Sequence, residues 1–154
     1  MIRRAVAADA PQLLSLMRGL AEFEGYDDRF AVTVEALLER GFSSQRAPEF
    51  TAWVAEVDDQ LLGYAVIYAI PFTFDLRPTL VLKELFIDST ARGRNLGHGL
   101  MQAVIEHGRS LNARLIRWQV LPSNEPAKDF YRQHAARVDA DWENWFIDLD
   151  RAGI

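Results

Sequence analysis

The chain has 154 residues, which fits one domain, residues 1–154, large enough to bury a core without a disulfide or metal. It contains no cysteine, which excludes thiol catalysis and cysteine metal sites and suits a reducing, cytoplasmic compartment. A net charge of −5 and a pI near 5.2 argue against nucleic-acid partners, which need a basic face.

We expect neither a secretory signal nor a membrane partner. The first four residues, MIRR, are not followed by an apolar segment and a small-residue cleavage site. The longest apolar run, residues 61–72, is broken by Gly63 and Pro71. It is shorter than the roughly 20 residues that span a bilayer, so we interpret it as a buried strand.

Apolar periodicity predicts, in chain order, a strand, two helices, three strands, a helix, a strand, a helix and a last strand. The predicted elements cover residues 2–6, 9–24 (with Asp9 as N-cap), 34–40 (with Thr33 as N-cap and Gly41 as C′), 50–57, 61–72, 79–88, 96–111, 113–121, 125–133 and 141–148. Hairpin pairing of the early strands and a later crossover helix imply a mixed sheet in an α+β layered domain.

The junction between the strand at 79–88 and the helix at 96–111 reads RGRNLG at residues 92–97. A strand that turns through glycines into a helix points backbone N–H groups outward, and the helix dipole reinforces their affinity for anions. Arg92 and Arg94 add charged donors, so the junction predicts a cradle for a pyrophosphate. An ordinary strand–loop–helix turn explains this loop alone equally well.

Two standard phosphate loops do not match this junction. The P-loop spacing is absent because no lysine follows the glycines, and the G-x-G-x-x-G spacing of dinucleotide sites is also absent. The loop resembles that of the GNAT acetyltransferase superfamily, Q/R-x-x-G-x-G/A, which binds the pyrophosphate of acetyl-CoA. Arg92 and Gly97 match its ends, and Asn95 replaces its middle glycine, a mild change because Asn tolerates positive φ.

A second informative stretch, NEPAKDFY, covers residues 124–131. Asn124 is a natural N-cap and Pro126 falls in the first helical turn. Taken alone, this is a capped helix with Phe130 and Tyr131 in the core. The pattern also resembles the one that GNAT members carry after the fifth strand, where the Asn and first turn border the coenzyme and the Tyr lies near its sulfur.

Five segments resemble, in the same order, the diamine (spermidine/spermine-type) N-acetyltransferase branch of this superfamily: residues 20–24, 33–42, 82–97, 124–131 and 142–148. The resemblance implies a GNAT-like α+β fold, with a mixed, mostly antiparallel twisted sheet and helices on both faces (the acyl-CoA N-acyltransferase fold). It also implies acetyl-CoA as co-substrate and a homodimer, for which the aromatic residues 142–146 offer an interface.

The resemblance assigns roles to individual residues. Those expected to bind the coenzyme are Leu85, Phe86, Ile87, Arg92, Gly93, Arg94, Asn95, Leu96, Gly97, His98, Asn124, Pro126 and Ala127. Those expected at the acceptor are Phe23, Glu24 and Lys83, and the catalytic pair is Tyr131 and Glu84. Lys83-Glu84 stands where the branch carries an acidic pair, which puts polyamine specificity in doubt. If Lys83 faces the pocket, an acceptor with both an amine and a carboxylate fits.

The reaction needs a base because a primary amine has a pKa near 10.4 and attacks only when neutral. Glu84 or Glu24 is expected to take the proton, directly or through water. Backbone N–H groups of the fourth strand are expected to stabilise the oxyanion, and Tyr131 to protonate the departing thiolate. An ion pair for Glu84 and a solvated helix end for Glu24 are the alternatives.

The predicted function is therefore transfer of an acetyl group from acetyl-CoA to the primary amine of a small molecule: a polyamine, a diamine or an amino-acid-like amine. The alternatives are a protein or peptide N-acetyltransferase and a non-catalytic acyl-CoA-binding module. The three histidines, His98, His107 and His134, lack metal-ligand spacing, so no metal is expected.

Overall fold

In the computed structural model, which describes residues 1–151, the chain divides into two compact units, Met1–Trp118 and a second that begins at Gln119. The first unit contains the helices α1 (Ala10–Glu24), α2 (Val34–Gly41) and α3 (Leu96–Ser110), and the second contains α4 (Glu125–Arg132). The strands, all in the first unit, are β1 (Ile2–Arg4), β2 (Thr51–Val57), β3 (Gln60–Ile70), β4 (Thr79–Ile87) and β5 (Leu115–Arg117).

The five strands form one sheet in the order β1-β2-β3-β4-β5. Neighbours pair antiparallel except β4 and β5, which are parallel and are connected through α3. Asp58 and Asp59 both have positive φ in the turn between β2 and β3, which suits the twist of a tight hairpin. The mixed, mostly antiparallel sheet confirms the predicted α+β fold class.

Helices α1 and α3 cover opposite faces of this sheet. Side chains of α1 pack with Tyr64 and Val66 of β3 in one buried cluster. Ile67 follows Val66 along the strand, so it points to the other face. On that face Leu80 of β4 approaches Gly108 of α3, where an added Cβ would lie 3.2 Å from Cδ1 of Leu80.

The predicted helix starts are confirmed by their capping bonds in two of three cases. The Thr33 hydroxyl accepts a hydrogen bond from the Ala36 N–H at 3.1 Å, and Asn124 Oδ1 accepts one from the Ala127 N–H at 3.2 Å. Asp9 occupies the N-cap position of α1, but its carboxylate makes no capping bond. The position was therefore predictable from residue type, whereas the use of the side chain was not.

Several predicted bounds and one predicted strand are wrong. β1 ends at Arg4 rather than at residue 6, and β3 ends at Ile70 rather than at residue 72. Gly41 is the last residue of α2 rather than the residue after it, and the strand predicted at 113–121 is confirmed only at Leu115–Arg117. Residues 141–148, predicted as a last strand, form none. Their alternating aromatic pattern is a local signal, whereas a strand needs a backbone partner, and within residues 1–151 this segment pairs with no strand.

Within residues 1–151, no helix combines the length and apolar character that crossing a membrane requires. Over the same range, no group of three or more His, Cys, Asp or Glu side chains is arranged to hold a metal ion.

Candidate active site

A β-bulge in β4 determines which face of the sheet Glu84 occupies. Val66 of β3 lies opposite Glu84 of β4, but the next residue of β3, Ile67, lies opposite Leu82. Lys83 is therefore an extra residue of β4, and no residue of β3 is paired with it. Because side chains alternate along a strand, the extra residue turns Glu84 away from the α3 face, where Leu82 lies, and toward α1.

The Glu84 carboxylate lies half-buried against the side chain of Tyr64. The Tyr64 hydroxyl donates a hydrogen bond to Glu84 Oε2 at 2.8 Å, and Tyr64 itself is completely buried. Burial raises the pKa of Glu84, while the hydrogen bond from Tyr64 and the charge of Lys83 act in the opposite direction. The net direction is upward, which gives a carboxylate more basic than an ordinary surface one.

Two groups at the end of α1 complete an acidic cluster around this carboxylate. Glu24 is exposed, and its charge also raises the pKa of Glu84. Tyr26 is half-buried, and its own pKa is raised by burial and by the charges of Glu84 and Glu24. The end of α1, β3 and β4 thus place two carboxylates and two phenols together, an arrangement suited to a cationic ligand.

Beyond its first residues, β4 has a partner strand on one side only. β5 pairs with Thr79–Val81, and within residues 1–151 no strand pairs with the rest of β4 on that side. Alternate N–H and C=O groups of residues 82–87 therefore point away from β3 without a ladder partner. Leu85, Phe86 and Ile87, predicted to bind the coenzyme through their backbone, lie on this open stretch.

The loop residues 92–95 and the first residues of α3, 96–98, form what we call the anion cradle. Gly93 has φ +82° and Asn95 has φ +60°, so the backbone takes the left-handed conformation that the sequence predicts at Asn95. Helix α3 begins directly after Asn95, at Leu96, and the Asn95 side chain does not cap it. The first N–H groups of a 15-residue helix thus meet a loop with two arginines, which fits a diphosphate.

Arg92 connects the anion cradle to the end of α1. Its guanidinium carbon lies 5.6 Å from the centroid of the Phe23 ring, in cation–π contact. Phe23 is 56% exposed, so part of its ring remains accessible to a ligand. The contact brings a residue predicted at the acceptor next to one predicted at the pyrophosphate.

The second unit carries the remaining predicted site residues, Asn124, Pro126, Ala127 and Tyr131. Asn124 caps α4, and Pro126 lies in the first turn, where a missing N–H costs nothing. The Tyr131 side chain is half-buried and its ring lies 5.5 Å from that of Phe130, centroid to centroid. Within this unit, the helix start and Tyr131 are thus held on one short, capped helix.

Two residues of the acidic cluster, Tyr26 and Tyr64, are missing from the predicted site. The hairpin between β3 and β4 is visible in the sequence and puts Tyr64 in the strand next to Glu84. Which side chains share a face depends on the bulge at Lys83, and no local pattern reveals a bulge. Lys83 itself is exposed, with its charge close enough to Glu84 to lower the pKa of that carboxyl.

Comparison with known sequences decides the family. The sequence profile described as the acetyltransferase (GNAT) family matches residues 14–135, which is most of the chain. The chain belongs to the GNAT acetyltransferase family. The family uses acetyl-CoA as co-substrate, so this GNAT protein is an acetyl-CoA-dependent N-acetyltransferase, as the sequence predicts.

Curated GNAT relatives are similar over nearly the whole chain. Thialysine N-epsilon-acetyltransferase of Sus scrofa is 29% identical over 153 residues, covering 94% of this chain and 88% of the relative. Spermidine/spermine N(1)-acetyltransferase-like protein 1 of Homo sapiens is 26% identical over 155 residues, 95% of this chain but 22% of the relative. These similarities confirm the predicted resemblance to the diamine branch.

A solved GNAT structure supports the fold. An aminoglycoside acetyltransferase from an uncultured soil metagenomic sample, in complex with sisomicin, superimposes with a TM-score of 0.80 at 17% identity. The match covers 97% of this chain and 95% of the other. At that identity the likeness concerns the fold alone.

Proposed function

We propose that this GNAT protein transfers the acetyl group of acetyl-CoA to a primary amine of a small molecule by direct attack in a ternary complex. One observation carries the proposal: β4 bears the half-buried Glu84 carboxylate and runs through a short loop into the anion cradle. The candidate base and the coenzyme loop lie on one continuous strand–loop–helix segment. This segment would therefore bind the acceptor amine and acetyl-CoA next to each other.

Acetyl-CoA supplies the thioester that carries the acetyl group. The cradle residues Arg92–His98 hold its pyrophosphate through backbone N–H groups and arginine side chains. The open stretch of β4 at Leu85, Phe86 and Ile87 binds the pantetheine arm through its backbone groups, in the way that it would bind an added strand. Asn124, Pro126 and Ala127 provide the remaining contacts to the coenzyme.

Glu84 acts as the general base in this proposal, with Glu24 as the second candidate. An ammonium group near the acidic cluster transfers a proton to the carboxylate, and the neutral amine then attacks. The upward shift in the pKa of Glu84 strengthens it as a base. Backbone N–H groups of β4 stabilise the negative charge that develops on the carbonyl oxygen.

Tyr131 acts as the general acid that returns a proton to the departing sulfur. A phenol has a reference pKa near 10, so it carries its proton at neutral pH. No covalent enzyme intermediate is needed, which agrees with a chain that contains no cysteine. The acceptor nitrogen loses two protons in all: Glu84 takes the first before attack. Tyr131 gives its proton to the departing thiolate, and the second proton from the nitrogen restores the phenol.

The acceptor is a polyamine, a diamine or an amino-acid-like amine. Glu24 and Glu84 provide negative charge for an ammonium group, and Phe23 provides an aromatic wall. A carboxylate on the acceptor would pair with Lys83, which favours an amino-acid-like amine. The names of the relatives support both classes, since one refers to the N-epsilon amine of thialysine and the other to spermidine and spermine.

We further propose one acetyltransferase domain over residues 1–154, a homodimer and a cytoplasmic location. The family profile supports the single domain because it runs from residue 14 to 135, through both compact units. The homodimer is supported by Trp142, Trp145 and Phe146, which are 80%, 87% and 91% exposed in a single chain. The absence of cysteine supports a reducing compartment.

The test is release of CoA from acetyl-CoA over a panel of spermidine, putrescine, lysine, thialysine and a short peptide. We expect turnover of at least one small amine by the wild type. Tyr131→Phe should lower kcat by about 100-fold, since it removes the general acid. Tyr68→Phe, a change at a partly exposed tyrosine of β3, is the matched control and should leave turnover unchanged.

Each alternative function has its own result in this assay. Turnover of the peptide alone would show a protein N-acetyltransferase. Tight CoA binding with no turnover of any amine would show a binding module. An unchanged kcat in Tyr131→Phe would remove Tyr131 from the mechanism.

A further inference from the structure

Tyr64 is the most deeply buried of the groups that interact with Glu84. It is the largest of the fully buried side chains and lies in the α1 core cluster. Its ring packs against Phe86 with the centroids 6.3 Å apart and the planes tilted by 55°. The hydroxyl at the end of such a ring has one fixed position, from which it donates to Glu84 Oε2 at 2.8 Å.

The hydrogen bond uses one oxygen of the carboxylate and leaves the other accessible. Within residues 1–151, every buried side-chain oxygen or nitrogen has a hydrogen-bond partner. Over the same residues Glu84 Oε1 accepts no hydrogen bond, so this oxygen reaches the surface of the half-buried carboxyl group. The phenol therefore fixes the direction in which Oε1 points.

We propose that Tyr64 is a positioning residue for acetyl transfer: its phenol fixes the Glu84 carboxylate so that Oε1 faces the acceptor amine. This role rests on the proposed function, in which Glu84 takes the proton of the acceptor ammonium. Tyr64 itself neither gains nor loses a proton, because burial and the charge of Glu84 raise its pKa far above neutral pH. The phenol therefore always donates its hydrogen bond to the Glu84 carboxylate.

The surroundings of Glu84 give the sign of the effect. Burial and the charge of Glu24 on α1 raise the pKa of Glu84, and Tyr64 of β3 and Lys83 of β4 lower it. Tyr26, beyond the end of α1, is also close enough to interact with the Glu84 charge. Removing the Tyr64 hydroxyl takes away the larger of the two stabilising contributions, so the pKa of Glu84 must rise further.

The variant that tests this role is Tyr64→Phe, which removes one oxygen atom and keeps the ring. A hydrogen bond to a charged group supports a shift of about one pH unit. We expect the acidic limb of kcat/KM to move up by about one unit, and the KM for acetyl-CoA to stay within about twofold. Tyr68→Phe on the same strand is the matched control and should move neither.

Two further readouts separate positioning from a general structural role. In protein labelled with ¹³C at the glutamate carboxyls, the Glu84 resonance of free Tyr64→Phe should titrate about one unit higher than in the wild type. In a Glu84→Gln background, Tyr64→Phe should cause no further loss of kcat, because the phenol acts only through the carboxylate.

The wild type alone also tests the contact, in case Tyr64→Phe does not fold. The ¹³C-labelled ζ carbon of Tyr64 should report a titration with the same midpoint as the Glu84 carboxyl. Different midpoints, an unshifted Glu84 titration in Tyr64→Phe, or an equal loss in both backgrounds would overturn the positioning role while leaving acetyl transfer intact. A wild type that acetylates no amine would overturn the proposed function and the positioning role together.

Discussion

Arg3 joins three parts of the chain through one guanidinium group. Its Nε donates to Glu56 Oε2 at 2.6 Å, and its two terminal nitrogens donate to the Asp9 carboxylate at 2.8 and 2.9 Å. Asp9, 6% exposed, also accepts from the Val6 N–H. The hydrogen bonds from Arg3, ahead of other causes, hold the pKa of Asp9 below its usual range. The start of α1 is thereby fixed to β1 and β2.

At the residue scale we predict that Asp9→Asn destabilises the fold in a pH-dependent way. A carboxyl whose pKa is lowered by folding stabilises above its unfolded pKa of about 3.9, and that stabilisation is lost as the pH falls through the folded value. We expect a loss of about 2 kcal/mol in the free energy of unfolding at pH 7 and a smaller loss at pH 3.

Urea unfolding at the two pH values measures this difference. Asp58→Asn, in the exposed turn between β2 and β3, is the matched control and should change stability by less than about 0.5 kcal/mol. An Asp9→Asn loss of the same size at pH 3 and pH 7 would refute the ion-pair explanation.

At the scale of elements, the sequence determines features that depend on neighbouring residues. The caps Thr33 and Asn124, the periodicity of α1 and α3 and the positive φ of Asn95 all follow from residue type and local spacing. The candidate coenzyme loop belongs to this class, because a helix start and the conformation of a loop residue are local properties.

Features that depend on pairing between residues far apart in the chain could not be predicted from the sequence. The bulge at Lys83 is a mismatch between β3 and β4, and only the pairing shows that Glu84 faces α1 and meets Tyr64. The strand predicted at 141–148 failed for a related reason, since alternation alone provides no partner strand. The sequence therefore names Glu84 as the candidate base but not Tyr64, the residue that contacts it.

At the scale of the whole molecule, the aromatic residues after α4 lead to a prediction about assembly. Side chains as apolar as Trp145 and Phe146 are costly to expose to water, so a second copy should cover them. Light scattering at micromolar concentration should give about twice the chain mass of 17.5 kDa. Trp145→Ser with Phe146→Ser should shift the mass toward that of one chain, whereas a monomeric wild type would contradict the homodimer.

The most direct test of the account is calorimetric titration of CoA into the wild type and into a variant with Arg92→Ala and Arg94→Ala. The anion cradle predicts saturable heat with about one site per chain, and an affinity about tenfold weaker in the variant, as expected for lost charge-assisted contacts. Arg40→Ala, at an exposed arginine of α2, should bind like the wild type. Absence of heat with the wild type, or equal affinity in the cradle variant, would contradict the assignment of residues 92–98 to the coenzyme.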